Sequence, residues 1–238
     1  EHFSQHLKVM SQNCTTKPCV YLKLARVTQY ETLCGKFSAK ENKMFANHQP
    51  QIEEYAMQSP DHTADVGYFV LATIQQQFSV VRESYWDMKD KGLDSKFAWG
   101  SKSAGMKRIQ ATKNSIYKDM FGHSLSQSEL LLSIASIPGL GLVKAGFYIQ
   151  MCTGSMGCLD VHNLKRFGLD SKTFKVPDTL AWDTALRKAD FYLETIHKFG
   201  GSEYLWDSWC DYIAALYPKK FRNGEHVSQC HVDYLIKR

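Results

Sequence analysis

The run Ile137-Pro138-Gly139-Leu140-Gly141-Leu142-Val143-Lys144-Ala145 constrains this chain more than any other stretch. Residues 126–137 precede it with Leu130, Leu131, Ile134 and Ile137 at helical spacing, and a second apolar run follows from Leu142 to Met151. Pro138 stops one helix, and Gly139 and Gly141 permit the tight turn that starts the next. The pattern predicts two helices joined as a hairpin. A buried helical hairpin with a Pro-Gly turn satisfies it as architecture alone. A hairpin that holds a phosphate satisfies it too, because the glycines bare orphan backbone N–H donors at the start of the second helix. Such a contact reads the nucleic-acid backbone and not its sequence.

At 238 residues the chain has room for one large domain, or one domain with an extension. Its 44% hydrophobic and 13% aromatic content can build a sizeable core. No stretch approaches the roughly 18–20 apolar residues of a membrane span, and the polar start Glu1-His2-Phe3-Ser4 does not read as a signal peptide. The seven cysteines, Cys14, Cys19, Cys34, Cys152, Cys158, Cys210 and Cys230, form no Cys-x-x-Cys pair. That argues against zinc and for free thiols in a reducing, intracellular compartment. A net charge of +5 permits a polyanionic partner without demanding one.

Along the chain, residues 1–60 read as an extension or arm: polar and basic over Lys36–Gln51, with a connector at Gln49-Pro50 and a short helix near Ile52–Met57. A helical domain is expected over 61–218. Thr63 or Asp65 is placed to cap a helix carrying Tyr68, Phe69, Leu71, Ala72 and Ile74. After Gln75-Gln76-Gln77, Phe78, Val81, Tyr85 and Met88 recur at helical spacing up to Gly92. Ala104–Phe121 is the most basic helix, with Lys107, Arg108, Lys113 and Lys118 on it, either as a solvated face or a phosphate-facing one. Ser126 and Glu129 make a capping box. Further helices are expected over Pro177–Lys198 and Glu203–Leu216, and residues 219–238 read as a polar tail with Val232, Tyr234, Leu235 and Ile236 as anchors. Strand-like alternation is scarce, so the fold class is all-α.

The order of these features resembles the helix-hairpin-helix DNA glycosylase superfamily, the group containing endonuclease III and the adenine and 8-oxoguanine glycosylases. The matching residues are Ile137-Pro138-Gly139-Leu140-Gly141 through Ala145 and Leu159-Asp160-Val161-His162, with Gln76-Gln77 where that family has a Gln-Gln pair. The resemblance covers about residues 60–216. It implies DNA as partner, gripped in a sequence-tolerant way by Gly139, Leu140 and Gly141, with Lys144, Lys165, Arg166, Gln76 and Gln77 flanking. It also implies base extrusion before chemistry.

Two departures narrow it. Strand-cleaving members carry a lysine two residues beyond the second hairpin glycine; that position is Val143 here. Lys144 is one residue on, about 100° around a helix, and is expected to point elsewhere. Some members hold an iron–sulfur cluster on four closely spaced cysteines; only Cys210 and Cys230 follow Asp160, so no cofactor is expected.

Cleaving a base–sugar bond builds positive charge on the sugar, which a fixed carboxylate stabilises. Asp160 is the candidate catalytic residue, and a helix cap is its structural alternative. His162 reads as a hydrogen-bond partner. Gln76 and Gln77 fit either a gap-filling role or a polar helix start, and Tyr68, Phe69 and Trp99 fit either a base sandwich or the core. Three functions remain open: a monofunctional base-processing enzyme, a non-enzymatic DNA-binding or structural protein such as a phage-particle component, and a protein-binding scaffold.

Overall fold

The computed structural model of the protein describes residues 49–170, 172–177, 179–217 and 227–237. It divides into a large helical body, within 45–165 and 170–238, and a smaller unit to which residues 166–169 belong. Among the described residues there are ten α-helices and two short 3-10 turns, and no strand. The fold is all-α.

The helices run α1 Gln49–Met57, α2 Pro60–Ala72, α3 Val81–Lys91, α4 Ser101–Phe121, α5 Gln127–Ala135, α6 Gly141–Thr153, α7 Val161–Arg166, α8 Trp182–Lys198, α9 Gly201–Leu216 and α10 Val227–Ile236. The centre is α2, packed against α1, α3, α4 and α6. Its run Phe69, Val70, Leu71 and Ala72 is fully buried. A helix hydrophobic on every side is one surrounded by others.

Local signals explain most boundaries. Ser59 caps α2, its Oγ accepting from the His62 N–H, and Pro60 occupies the first turn, where a missing N–H costs nothing. Thr63 and Asp65 therefore lie inside the helix, not at its cap. Ser126 and Glu129 form the expected capping box on α5. Helix α4 buries Met106, Ile109, Ile116 and Met120 and leaves Lys107, Arg108 and Lys118 exposed. Helix α8 begins at Trp182, not Pro177, because Pro177 accepts a turn bond from the Leu180 N–H.

The body exceeds the 61–218 boundary at both ends. Helix α1 buries Ile52 and Ala56 and packs on α2 and α6. Helix α10 buries Val232, Tyr234 and Leu235 against α1, α3 and α9, while Ile236 stays exposed. Both segments are too polar on their outer faces for composition to reveal the buried ones. The cysteine-bearing stretch through Cys34 and the basic run before residue 49 lie outside the described residues.

Candidate functional site

The hairpin pairs α5 with α6. Ile137 and Leu140 are buried anchors, and the Leu140 N–H closes the turn on the Ile137 carbonyl at 3.1 Å. Between and beyond them Pro138, Gly139 and Gly141 are exposed. Gly139 has φ +90° and Gly141 φ +55°, conformations that L side chains rarely adopt. No side chain caps the N-terminus of α6, where the positive end of its helix dipole lies.

Helix α6 borders a cavity of about 40 Å³, room for a few water molecules. Three elements wall it. Helix α6 contributes Lys144, Phe147 and Gln150; the segment after it contributes Cys158 and Asp160; and α9 contributes Leu205, Trp206 and Trp209. Thr73, just past α2, completes the lining.

Lys144 thus faces the pocket, contrary to the expectation from its displacement by one residue. The reason is the register of α6. Lys144, Phe147 and Gln150 recur at three-residue spacing and share one face, and that face borders the cavity. The Lys144 Nζ donates to Thr73 Oγ1 at 2.9 Å and lies 5.5 Å from the centre of the Phe147 ring. It makes no ion pair among the described residues.

Asp160 does two things. Its Oδ1 accepts from the N–H groups of His162 (3.0 Å) and Asn163 (2.9 Å), capping α7. The same half-buried side chain lines the cavity that Lys144 enters. Its Oδ2 takes no hydrogen bond among the described residues. The segment that carries it is pinned from below. The Tyr192 hydroxyl, wholly buried, donates to the Gly157 carbonyl at 2.7 Å and accepts from the Leu159 N–H at 3.1 Å. Gln150 is buried beneath the pocket, bonded to Ser202 and, through Oε1, to the Cys158 N–H at 3.2 Å.

The remaining expected residues scatter. His162 is exposed and stacks on Tyr212 with ring centres 4.1 Å apart. Gln76 and Gln77 lie in the loop that follows Thr73, half-buried and exposed respectively. Lys165 is an exposed residue of α7; the Arg166 side chain lies outside the described residues. Tyr68 bonds Gln110 and Phe69 packs in the core against Tyr85, so neither meets the pocket. The aromatic walls are Phe147, Trp206 and Trp209, none of them among the expected site residues. The spacings 206/209 on α9 and 144/147/150 on α6 mark shared helix faces but not that the two faces meet.

Burial pushes the Cys158 thiol up to about 12, with the Asp160 charge adding to it and Lys144 opposing. It is therefore no nucleophile at neutral pH. Cys152 and Cys158 are free thiols, and all four described cysteines are buried. Among the described residues no cluster of His, Cys, Asp and Glu is arranged to hold a metal, and no helix is long and apolar enough to cross a membrane.

No protein-family model matches the chain, and neither a curated protein nor a solved structure does.

Proposed function

We propose that this chain grips the DNA phosphate backbone through Gly139, Leu140 and Gly141 and processes a base in the adjoining pocket, as a monofunctional N-glycosylase or related enzyme on a glycosylase-like helical scaffold. The observation that carries the reading is that Asp160 lines one pocket with Lys144, which lies three residues into the helix that the uncapped hairpin opens. In this reading the free Oδ2 of Asp160 stabilises positive charge on the sugar, and Oδ1 stays with the helix it caps. Lys144 supplies a cation beside the phosphate path, and Lys165 adds a solvent-exposed charge on α7. Phe147 and Trp209 are the surfaces on which an extruded base stacks. The enzyme is intracellular and needs no cofactor for this chemistry.

The test is an assay on duplexes carrying several damaged or modified bases, comparing wild type with Asp160→Asn. Asparagine is as good a helix cap as aspartate but carries no charge. Activity unaffected by that change removes Asp160 from the chemistry.

One observation favours a second reading. The cavity of about 40 Å³ does not admit a base unless Trp209 or Lys144 moves. A non-enzymatic DNA-binding or structural protein, such as a virion component, needs the hairpin but not the pocket. Duplex binding with no base release from any substrate in the panel favours that reading.

A further inference from the structure

Helix α4 begins where the hairpin turns. A Cβ built on Gly139 would meet the Ser101 side chain at 3.2 Å, and one on Gly105 would meet the Pro138 carbonyl oxygen at 2.5 Å. The N-terminus of the long α4 and the N-terminus of α6 therefore converge. Neither has a side-chain cap. Each carries roughly half a positive charge from its dipole, so the junction is electropositive.

Lys102 sits in the first turn of α4 and is fully buried. Among the described residues its Nζ has no hydrogen-bond partner and no ion pair. The amine lies 5.2 Å from the centre of the Trp99 ring. Helical side chains lean toward the N-terminus, and Trp99 precedes the helix, so the ammonium sits at the N-terminal end of α4. Trp99 itself is 46% exposed. The indole is thus half in solvent on one side of a cation that has none. Burial, and then the like charge of Lys144, hold the Lys102 amine below the usual lysine range. A buried cation beside two helix N-termini, with no anion paired to it among the described residues, is an arrangement that an isosteric apolar side chain would relieve.

We propose that this junction is a phosphate site, in which Lys102 is the built-in cation and the Trp99 ring its displaceable cover. A phosphate at the exposed hairpin amides reaches the α4 terminus through Ser101. Displacing the indole then gives the Lys102 ammonium the anion it lacks. The proposal depends on the DNA-binding reading only for the source of the phosphate. A backbone phosphodiester and a free phosphate both present anionic non-bridging oxygens.

The experiment uses the full chain as wild type, Lys102→Met and Trp99→Ala, with inorganic phosphate and a short duplex as separate probes. Lys102 reactivity is followed by reductive methylation and peptide mass spectrometry. Lys102 should be unreactive in wild type and reactive in Trp99→Ala, and either probe should protect it there. Lys102→Met should fold at least as stably as wild type and lose the thermal stabilisation that phosphate gives wild type. Its duplex affinity should fall about tenfold, with the salt slope flattened by roughly one phosphate. Protection and stabilisation by inorganic phosphate without duplex binding sustain the site and reject the DNA reading. Duplex binding lost in Gly141→Val but identical in wild type and Lys102→Met, with phosphate stabilising both proteins equally, overturns the site and leaves the DNA reading intact. Equal Lys102 labelling with and without both probes in Trp99→Ala also overturns it.

Discussion

The Lys144 ammonium donates to the Thr73 hydroxyl at 2.9 Å, and that hydroxyl donates in turn to the Val70 carbonyl at 2.7 Å. This short chain ties the second helix of the hairpin to the end of α2 and fixes the lysine at the pocket wall. Thr73→Val keeps the shape but removes both bonds. Chemical denaturation should show a loss of about 1–2 kcal/mol, with Lys144 left half-buried and unpaired. If the lysine matters only for stability, Thr73→Val and Lys144→Met should cost similar amounts and leave duplex affinity alike. If its position matters for DNA, Lys144→Met should weaken binding beyond what Thr73→Val does.

The two roles of Asp160 separate by substitution. Asp160→Ala loses both N–H contacts to α7 and should cost about 1 kcal/mol of stability. Asp160→Asn should cost only a few tenths, since the amide oxygen accepts the same bonds. In the proposed chemistry both variants lose activity alike, by about a hundredfold or more. Paired thermal melts and single-turnover base release check this, and activity that tracks stability across the two variants would assign Asp160 to capping alone.

The Tyr192 hydroxyl is the support under the Asp160 segment. Tyr192→Phe strands two buried backbone groups, the Gly157 carbonyl and the Leu159 N–H. The expected cost is about 2–4 kcal/mol, read from urea unfolding. Because Leu159 adjoins Asp160, the same variant should reduce activity more than a destabilised variant that does not line the pocket, such as Tyr85→Phe, whose hydroxyl donates to the Leu235 carbonyl. Equal losses in the two variants would show that this support carries no functional consequence.

The hairpin was legible because its signals are local. Pro138, the two glycines, the capping pair Ser126 and Glu129, and the apolar spacing each act within a turn or two of the chain. The all-α class followed from the same periodicities. The pocket was less legible, because it joins residues distant in sequence. Trp206 and Trp209 meet Lys144 only through the packing of α9, and nothing in the local sequence marks that docking. The face of Lys144 follows from a narrower signal. Its offset from Gly141 does not set its direction; its spacing to Phe147 and Gln150 does. Lys102 carried no sequence signal at all, since a lysine opening a helix reads as surface until its burial is seen.

The hairpin itself is tested by salt. If the Gly139 and Gly141 amides hold a phosphate, duplex affinity should fall with rising salt and vary little with sequence. Nothing stands within 4 Å of a Cβ built on Gly141, so Gly141→Val meets no clash inside the protein. Its effects come from the strained φ of +55° and from a side chain standing where a phosphate would approach. Stability should fall by about 1–3 kcal/mol, and affinity should fall further than the folded fraction accounts for. Neutralising Lys144, Lys165 and Arg166 should lower affinity without that strain. Each charge that faces the backbone should also flatten the slope of log K against log salt by about 0.9. Lys107 and Arg108 are exposed on α4, so adding their neutralisation tests whether the phosphate track continues along that helix. The measurement is a fluorescence-anisotropy titration at several salt concentrations, with folding verified by circular dichroism. Unchanged affinity and slope in the folded variants would make the hairpin architecture only, and DNA binding would then need another surface.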